Sequence, residues 1–156
     1  MDLSADWHLV FRDLSRLVIA YVLALPIGWY REREAHSIGV RTFPLVAMAS
    51  CGYVLLGMPS DHTDVEAQSR IIQGLVAGIG FIGGGAILKA GNNVHGTATA
   101  ASIWNTGVLG AAVAQQRYFL ALTLAVLNLV ALRVLLPLKM KLDSRAGRET
   151  EPDEPK

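Results

Sequence analysis

Acidic charge is missing from the middle of this sequence: no Asp or Glu lies between Glu66 and Asp143, and the only cations there are Arg70, Lys89, Arg117, Arg133, Lys139 and Lys141. Charged residues make up 17% of the chain, against roughly 25% in an ordinary soluble domain. That excludes a water-facing surface around most of the molecule. One cysteine, Cys51, excludes an internal disulfide and any cysteine-based metal site, and it reads as a small core residue. A formal net charge of +1 excludes the concentrated basic face that a nucleic-acid partner would need. The start of the chain carries Asp2, Asp6 and Asp13 before its first apolar run. It therefore lacks the positive leader of a cleavable signal peptide, and the first apolar segment is expected to be retained.

What is present is apolar length. Hydrophobic residues account for 52% of the chain. They gather into five runs, near 14–30, 42–58, 71–88, 98–114 and 118–138. Each is near the lower length for crossing a bilayer. Breakers separate them: Pro59-Ser60, Gly91-Asn92-Asn93 and Gln115-Gln116-Arg117. The expected fold is all-α, a polytopic membrane bundle of about five transmembrane helices. A polar segment, 1–13, precedes it, and a disordered tail, 139–156, follows it. Five crossings place the two ends on opposite sides. One set of loops and ends carries Arg31, Arg33, Arg41, Lys89, Lys139, Lys141, Arg145, Arg148 and Lys156, and the other carries Arg12, Arg16, Arg70 and Arg117. This asymmetry predicts the N-terminus outside and the C-terminus in the cytoplasm.

The third run contains Gly74, Gly78, Gly80, Gly83, Gly84 and Gly85. Gly78, Gly80 and Gly83 match the G-x-G-x-x-G spacing, but no strand precedes them and no acid follows at the required distance, so a dinucleotide site is excluded. Gly74 and Gly78, and again Gly80 and Gly84, stand four apart and predict close packing against another helix within lipid. A break in the helix at mid-membrane is the alternative.

The fourth run puts Thr99, Ser102 and Thr106 on one stripe, with Trp104 and Asn105 beside it. A buried amide such as Asn105 needs partners, and Asn128 and Arg133 in the fifth run raise the same demand. After the first run come Arg31, Glu32, Arg33 and Glu34, then Gly39, Arg41 and Thr42. Arg41 is placed to reach a carboxylate. Asp61, His62, Asp64 and Glu66 read as a solvated loop rather than a divalent-cation site. His8, His36 and His95 have no zinc spacing. No nucleophile and base stand together, so no enzyme, cofactor or metal site is expected.

Three ordered blocks carry a resemblance: Gly28 with Arg31-Glu32 and Gly39-Val40-Arg41-Thr42; Arg70 with the glycine run 78–88; and the run 94–104 from Val94 to Trp104. Over about 14–136 the chain resembles the MgtC/SapB family of bacterial inner-membrane proteins, as a short member without their soluble C-terminal domain. Tyr30 stands where the family pattern has an acid, and Glu34, one turn on, is positioned to substitute for it. The resemblance implies growth under magnesium limitation, virulence-type stress adaptation, and action on other membrane machinery such as the F-type ATP synthase. The expected function is regulatory, through lipid-embedded contacts including a homodimer; the rival is a transporter or channel for Mg²⁺ or another cation. Arg31, Glu32, Gly39, Arg41, Thr42, Arg70, Thr99, Ser102, Trp104 and Asn105 are the candidate functional residues.

Overall fold

The computed structural model describes residues 3–35, 39–57, 65–91 and 93–149. Five helices follow one another: α1 (Leu3–Ala35), α2 (Thr42–Leu56), α3 (Val65–Gly85), α4 (Thr97–Ala114) and α5 (Tyr118–Glu149). The all-α fold is as the apolar runs indicate. Between α3 and α4 lies a small antiparallel ribbon, β1 (Leu88–Ala90) with β2 (Asn93–His95), in which Leu88 faces His95 and Lys89 faces Val94.

Local chemistry sets the boundaries. Pro44 sits in the first turn of α2, where its missing N–H removes no helical bond. Gly57 ends α2 by donating its N–H back to the carbonyls of Tyr53 and Val54. In α3 the run Gly83-Gly84-Gly85 lowers helix propensity, and the chain leaves through two tight turns, Ala86 N–H to Gly83 O and Ile87 N–H to Gly84 O, each 3.1 Å. Gly91 turns the ribbon at φ +60° and Gly96 enters α4 at φ +86°. At Gly96 a Cβ would also run into the carbonyl of Ala86, so only glycine satisfies both the turn and the close approach.

Three boundaries differ from the sequence expectation. Helix α1 starts at Leu3 instead of after a polar segment, α3 covers 65–85 instead of 71–88, and α5 continues past Leu138 to Glu149. The last is a correction to the disordered tail. Residues 139–149 are mostly helix formers without proline, and an established helix adds each further residue more easily than it nucleates.

Helix α4 packs against all four other helices. The core combines Ala20, Ala24 and Ile27 of α1 with Phe43, Ala47 and Val54 of α2, Ile103, Leu109 and Val113 of α4, and Ala121 and Ala125 of α5. Its closest approach is α2 on α4, where Gly110 lies against the Ala47 carbonyl and the Ser50 side chain. Gly107 of α4 likewise receives Ile79 of α3. Small residues at such crossings permit backbone contact where no hydrophobic effect drives helices together.

The outer face is apolar all round: Phe81 is 86% exposed and Phe119 85%, and Trp7, Phe11, Val22, Trp29 and Leu127 also point outward. An exposed apolar belt of that size marks a surface made for lipid. Among the described residues, Tyr118–Leu135 is the helix long and apolar enough to cross a bilayer, while the α2 apolar segment, Thr42–Leu56, is shorter.

Candidate functional site

At the end of the bundle where α1 closes and α2 begins, polar side chains meet. Arg31 is 6% exposed; its Nη1 donates to Glu34 Oε2 at 2.6 Å and its Nη2 donates to the Thr99 hydroxyl. Its Nε has no partner. Glu32, the next residue, turns the other way and accepts the Val40 N–H at 2.6 Å. That places a carboxylate at the amino end of α2, where the helix dipole favours it. The crossing is tight because Gly28 and Gly39 lack side chains: a Cβ on Gly28 would sit 2.8 Å from the Gly39 carbonyl, and one on Gly39 would sit 2.7 Å from the Glu32 backbone.

Deeper between α4 and α5, Ser102 Oγ donates to Asn128 Oδ1 at 2.9 Å, and Asn105 Nδ2 donates to the Leu124 carbonyl at 3.3 Å. Thr106 bonds back to the Ser102 carbonyl. Asn128 is buried, yet its Nδ2 donates to nothing. Ser102, Asn105 and Asn128 line a cavity of about 680 Å³ that reaches from Arg31 and Glu34, past His95, Gly96 and Thr97, to Leu132. Tyr30 packs at the same end, its hydroxyl reaching the Leu132 carbonyl at 3.5 Å and the Arg133 guanidinium lying 5.6 Å from its ring centre. Glu34 thus holds Arg31 one turn from the position where Tyr30 stands.

The structure brings together Arg31, Glu32, Gly39, Thr99, Ser102 and Asn105 from the sequence-derived set. Thr42 is half-buried and opens α2. Arg41 is exposed, makes no side-chain cap bond, and has no carboxylate partner among the described residues; Glu32 is already engaged by Val40. Arg70 lies at the opposite end, exposed and, among the described residues, paired with Glu66 at 2.6 Å. Trp104 is about half exposed beside α3. Asp61, His62 and Asp64 lie outside the described residues.

The glycine face needs a correction. Gly83 does meet α4, with a Cβ position 3.3 Å from the Ala100 carbonyl, but Gly74, Gly78, Gly80, Gly84 and Gly85 have nothing within 4 Å. Helix α3 uses Ile79 and Gly83 for α4, while Gly74 and Gly78 border an open groove of about 720 Å³ between α2 and α3. The intramolecular glycine packing belongs instead to Gly107 and Gly110 of α4. Sequence reasoning also missed Arg16, which it assigned to a loop: it is 4% exposed within α1, with Asp13 at 3.9 Å and its Nε unpartnered. Its position one turn after Asp13 inside an apolar run was the available signal.

A helix bundle with an apolar exterior, a buried arginine paired with Glu34 at one end and unfilled polar donors in a lateral cavity fits a membrane protein. Its family follows from comparison: residues 17–141 match the model of the MgtC family, and the chain belongs to that family. It is similar to protein slr0014 of Synechocystis sp. PCC 6803, 33% identical over 146 residues that cover 94% of this chain and 60% of that protein. It is also similar to YhiD of Escherichia coli K12, provisionally named a magnesium transporter, at 32% identity over 83% of this chain and 63% of that protein. MgtC of Salmonella typhimurium LT2 is 35% identical over 65% of this chain and 43% of its own length. The chain thus spans about 60% of the length of the first relatives it matches. No solved structure matches it.

Proposed function

We propose that this protein is a regulatory, interacting component of the inner membrane, connected with magnesium limitation, and that it acts by binding another membrane protein along α3. The N-terminus would lie outside and the C-terminus in the cytoplasm. The observation that carries the reading is the unfilled glycine surface of α3: Gly74 and Gly78 line an open groove of about 720 Å³ beside α2, and Gly80 and Gly84 lie on another side of the helix, none of the four with a neighbour within 4 Å of a Cβ position. In lipid such a surface gains by close approach of a second helix, and a chain that packs its own core with other glycines has it to spare. One relative, YhiD, provisionally named a magnesium transporter, supports the physiological setting.

The rival, a cation pathway, has the polar cavity in its favour. Against it, the cavity's most buried charge is a cation, Arg31, and the Glu34 carboxylate on its wall is already tied to Arg31. Mg²⁺ sheds its waters reluctantly and is held through carboxylates or phosphates.

The test is growth and magnesium uptake of a deletion strain in low and in ample magnesium, complemented with wild type or with Gly78→Leu. Leucine exceeds glycine in helix propensity by roughly 0.8 kcal/mol, and position 78 is open, so the variant is expected to fold and insert. The expected result is a growth defect in low magnesium with unchanged uptake, rescued by wild type and not by Gly78→Leu. Reduced uptake in the deletion strain, restored by both proteins, would transfer the assignment to transport.

A further inference from the structure

The cavity at Arg31 has a composition that the α3 reading leaves unused. Its polar end holds buried donors without partners. The amino end of α4 opens into it at Thr97 and Ala98, and Gly96 before them supplies no side-chain cap, so the first amides of an 18-residue helix present their partial positive charge there. Asn128 is 9% exposed and its Nδ2 is free; Arg31 is 6% exposed and its Nε is free. Each buried unpaired donor is costly unless something accepts from it. Two of the acceptors on the wall are already engaged, Glu34 Oε2 by Arg31 and Asn128 Oδ1 by Ser102, and the neighbouring Thr99 hydroxyl also accepts from Arg31.

The rest of the wall is hydrocarbon. Ala98, Ala101, Leu127, Ala131 and Leu135 line the cavity and are themselves exposed on the bundle's side, so it opens laterally into the apolar belt. A volume of about 680 Å³ is within the range of ligand sites, roughly 300–1,000 Å³. An occupant must accept several hydrogen bonds at one end, tolerate a slightly positive field, and be apolar at the other.

We propose that this cavity holds the phosphodiester headgroup and upper acyl chain of a phospholipid. The phosphate oxygens would accept from Asn128 Nδ2 and the amides opening α4, beside the Arg31 guanidinium, and the chain would lie along Leu127, Ala131 and Leu135. Helix N-termini bind phosphate by this combination of amides and dipole, and a lipid delivers the group through the same lateral opening. The assignment is independent of the α3 contact, and either can fail alone.

The full chain, purified in a maltoside detergent, would be offered equal concentrations of dioleoylphosphatidylglycerol and dioleoylglycerol, and bound lipid counted by native mass spectrometry. The wild type is expected to retain the phospholipid over the glycerolipid by roughly tenfold or more, the value of a charged hydrogen bond left unmade. Asn128→Leu removes the free donor and Ala131→Trp fills the apolar half, and each is expected to lower phospholipid retention by roughly tenfold. Ala131→Trp alters an exposed wall residue and so carries the test if Asn128→Leu does not fold, as judged by helical circular dichroism. Equal retention of the two lipids, or wild-type phospholipid retention in folded Ala131→Trp, overturns the proposal. So does inorganic phosphate at millimolar concentration displacing every bound lipid, which would make the site one for a soluble anion.

Discussion

Gly110→Ala is expected to lower the stability of the protein by about 3 kcal/mol, more than any other single added methyl on α4. The new Cβ would strike the Ala47 carbonyl and lie 3.0 Å from the Ser50 side chain. The obstacle is backbone of α2, which cannot rotate aside as a flexible side chain would, so α2 and α4 must separate along their length. Both are core helices, with Ala47, Val54, Leu109 and Val113 between them, and separation loosens that whole set. Unfolding of the detergent-solubilised protein, followed by helical circular dichroism, reads the effect as a lower midpoint. Gly84→Ala is the control: its added methyl meets nothing, and alanine favours a helix over glycine by roughly 1 kcal/mol, so its midpoint should equal or exceed that of the wild type. Two equal midpoints would show that α2 and α4 do not cross at Gly110.

Glu34→Leu is expected to cost about 3 kcal/mol, and Arg31→Leu combined with it to recover most of that loss. The Arg31 guanidinium is buried, and its ion pair with Glu34 at 2.6 Å answers one of its ends while Thr99 answers another. Removing the carboxylate alone leaves a cation in apolar surroundings with one neutral partner. Removing both leaves a hydrocarbon contact and an unpaired Thr99 hydroxyl, which can bond within its own helix. A double-mutant cycle on unfolding midpoints separates the cases. Strict additivity of the two single changes would mean that Arg31 and Glu34 do not act as a pair.

The helices were legible because each contains an apolar run bounded by breakers, and hydrophobic length alone identifies a segment that must bond its backbone internally. The polar stripe of Thr99, Ser102 and Thr106 was legible too, since helical spacing places such residues on one face whatever that face meets. What they meet was not. Nothing local in Arg31 says that it turns toward Thr99, 68 positions away, while Glu32 turns toward Val40; that choice is made by the close crossing of Gly28 and Gly39. The glycines of α3 misled for the same reason. Spacing says that a helix has a small face, but which neighbour lies against it depends on how Ile79 and Gly107 set α3 on α4. The ribbon at 88–95 escaped because three residues a side give no period to read, and Arg16 escaped because a charge beside an apolar run looks like its edge.

One consequence of the unfilled glycine surface of α3 concerns how the chain can change over generations. The interior and the proposed contact surface draw on different residues: the bundle is held by Gly107, Gly110 and the alanines of α1, α2 and α5, whereas a Cβ added at Gly74, Gly78, Gly80 or Gly84 meets nothing within 4 Å. If α3 is the surface that associates, as proposed, a substitution at one of these four glycines is expected to alter that association while leaving folding almost untouched. On that reading the two traits are separable by mutation, and descendants of such a chain would be free to exchange one associate for another without rebuilding the scaffold.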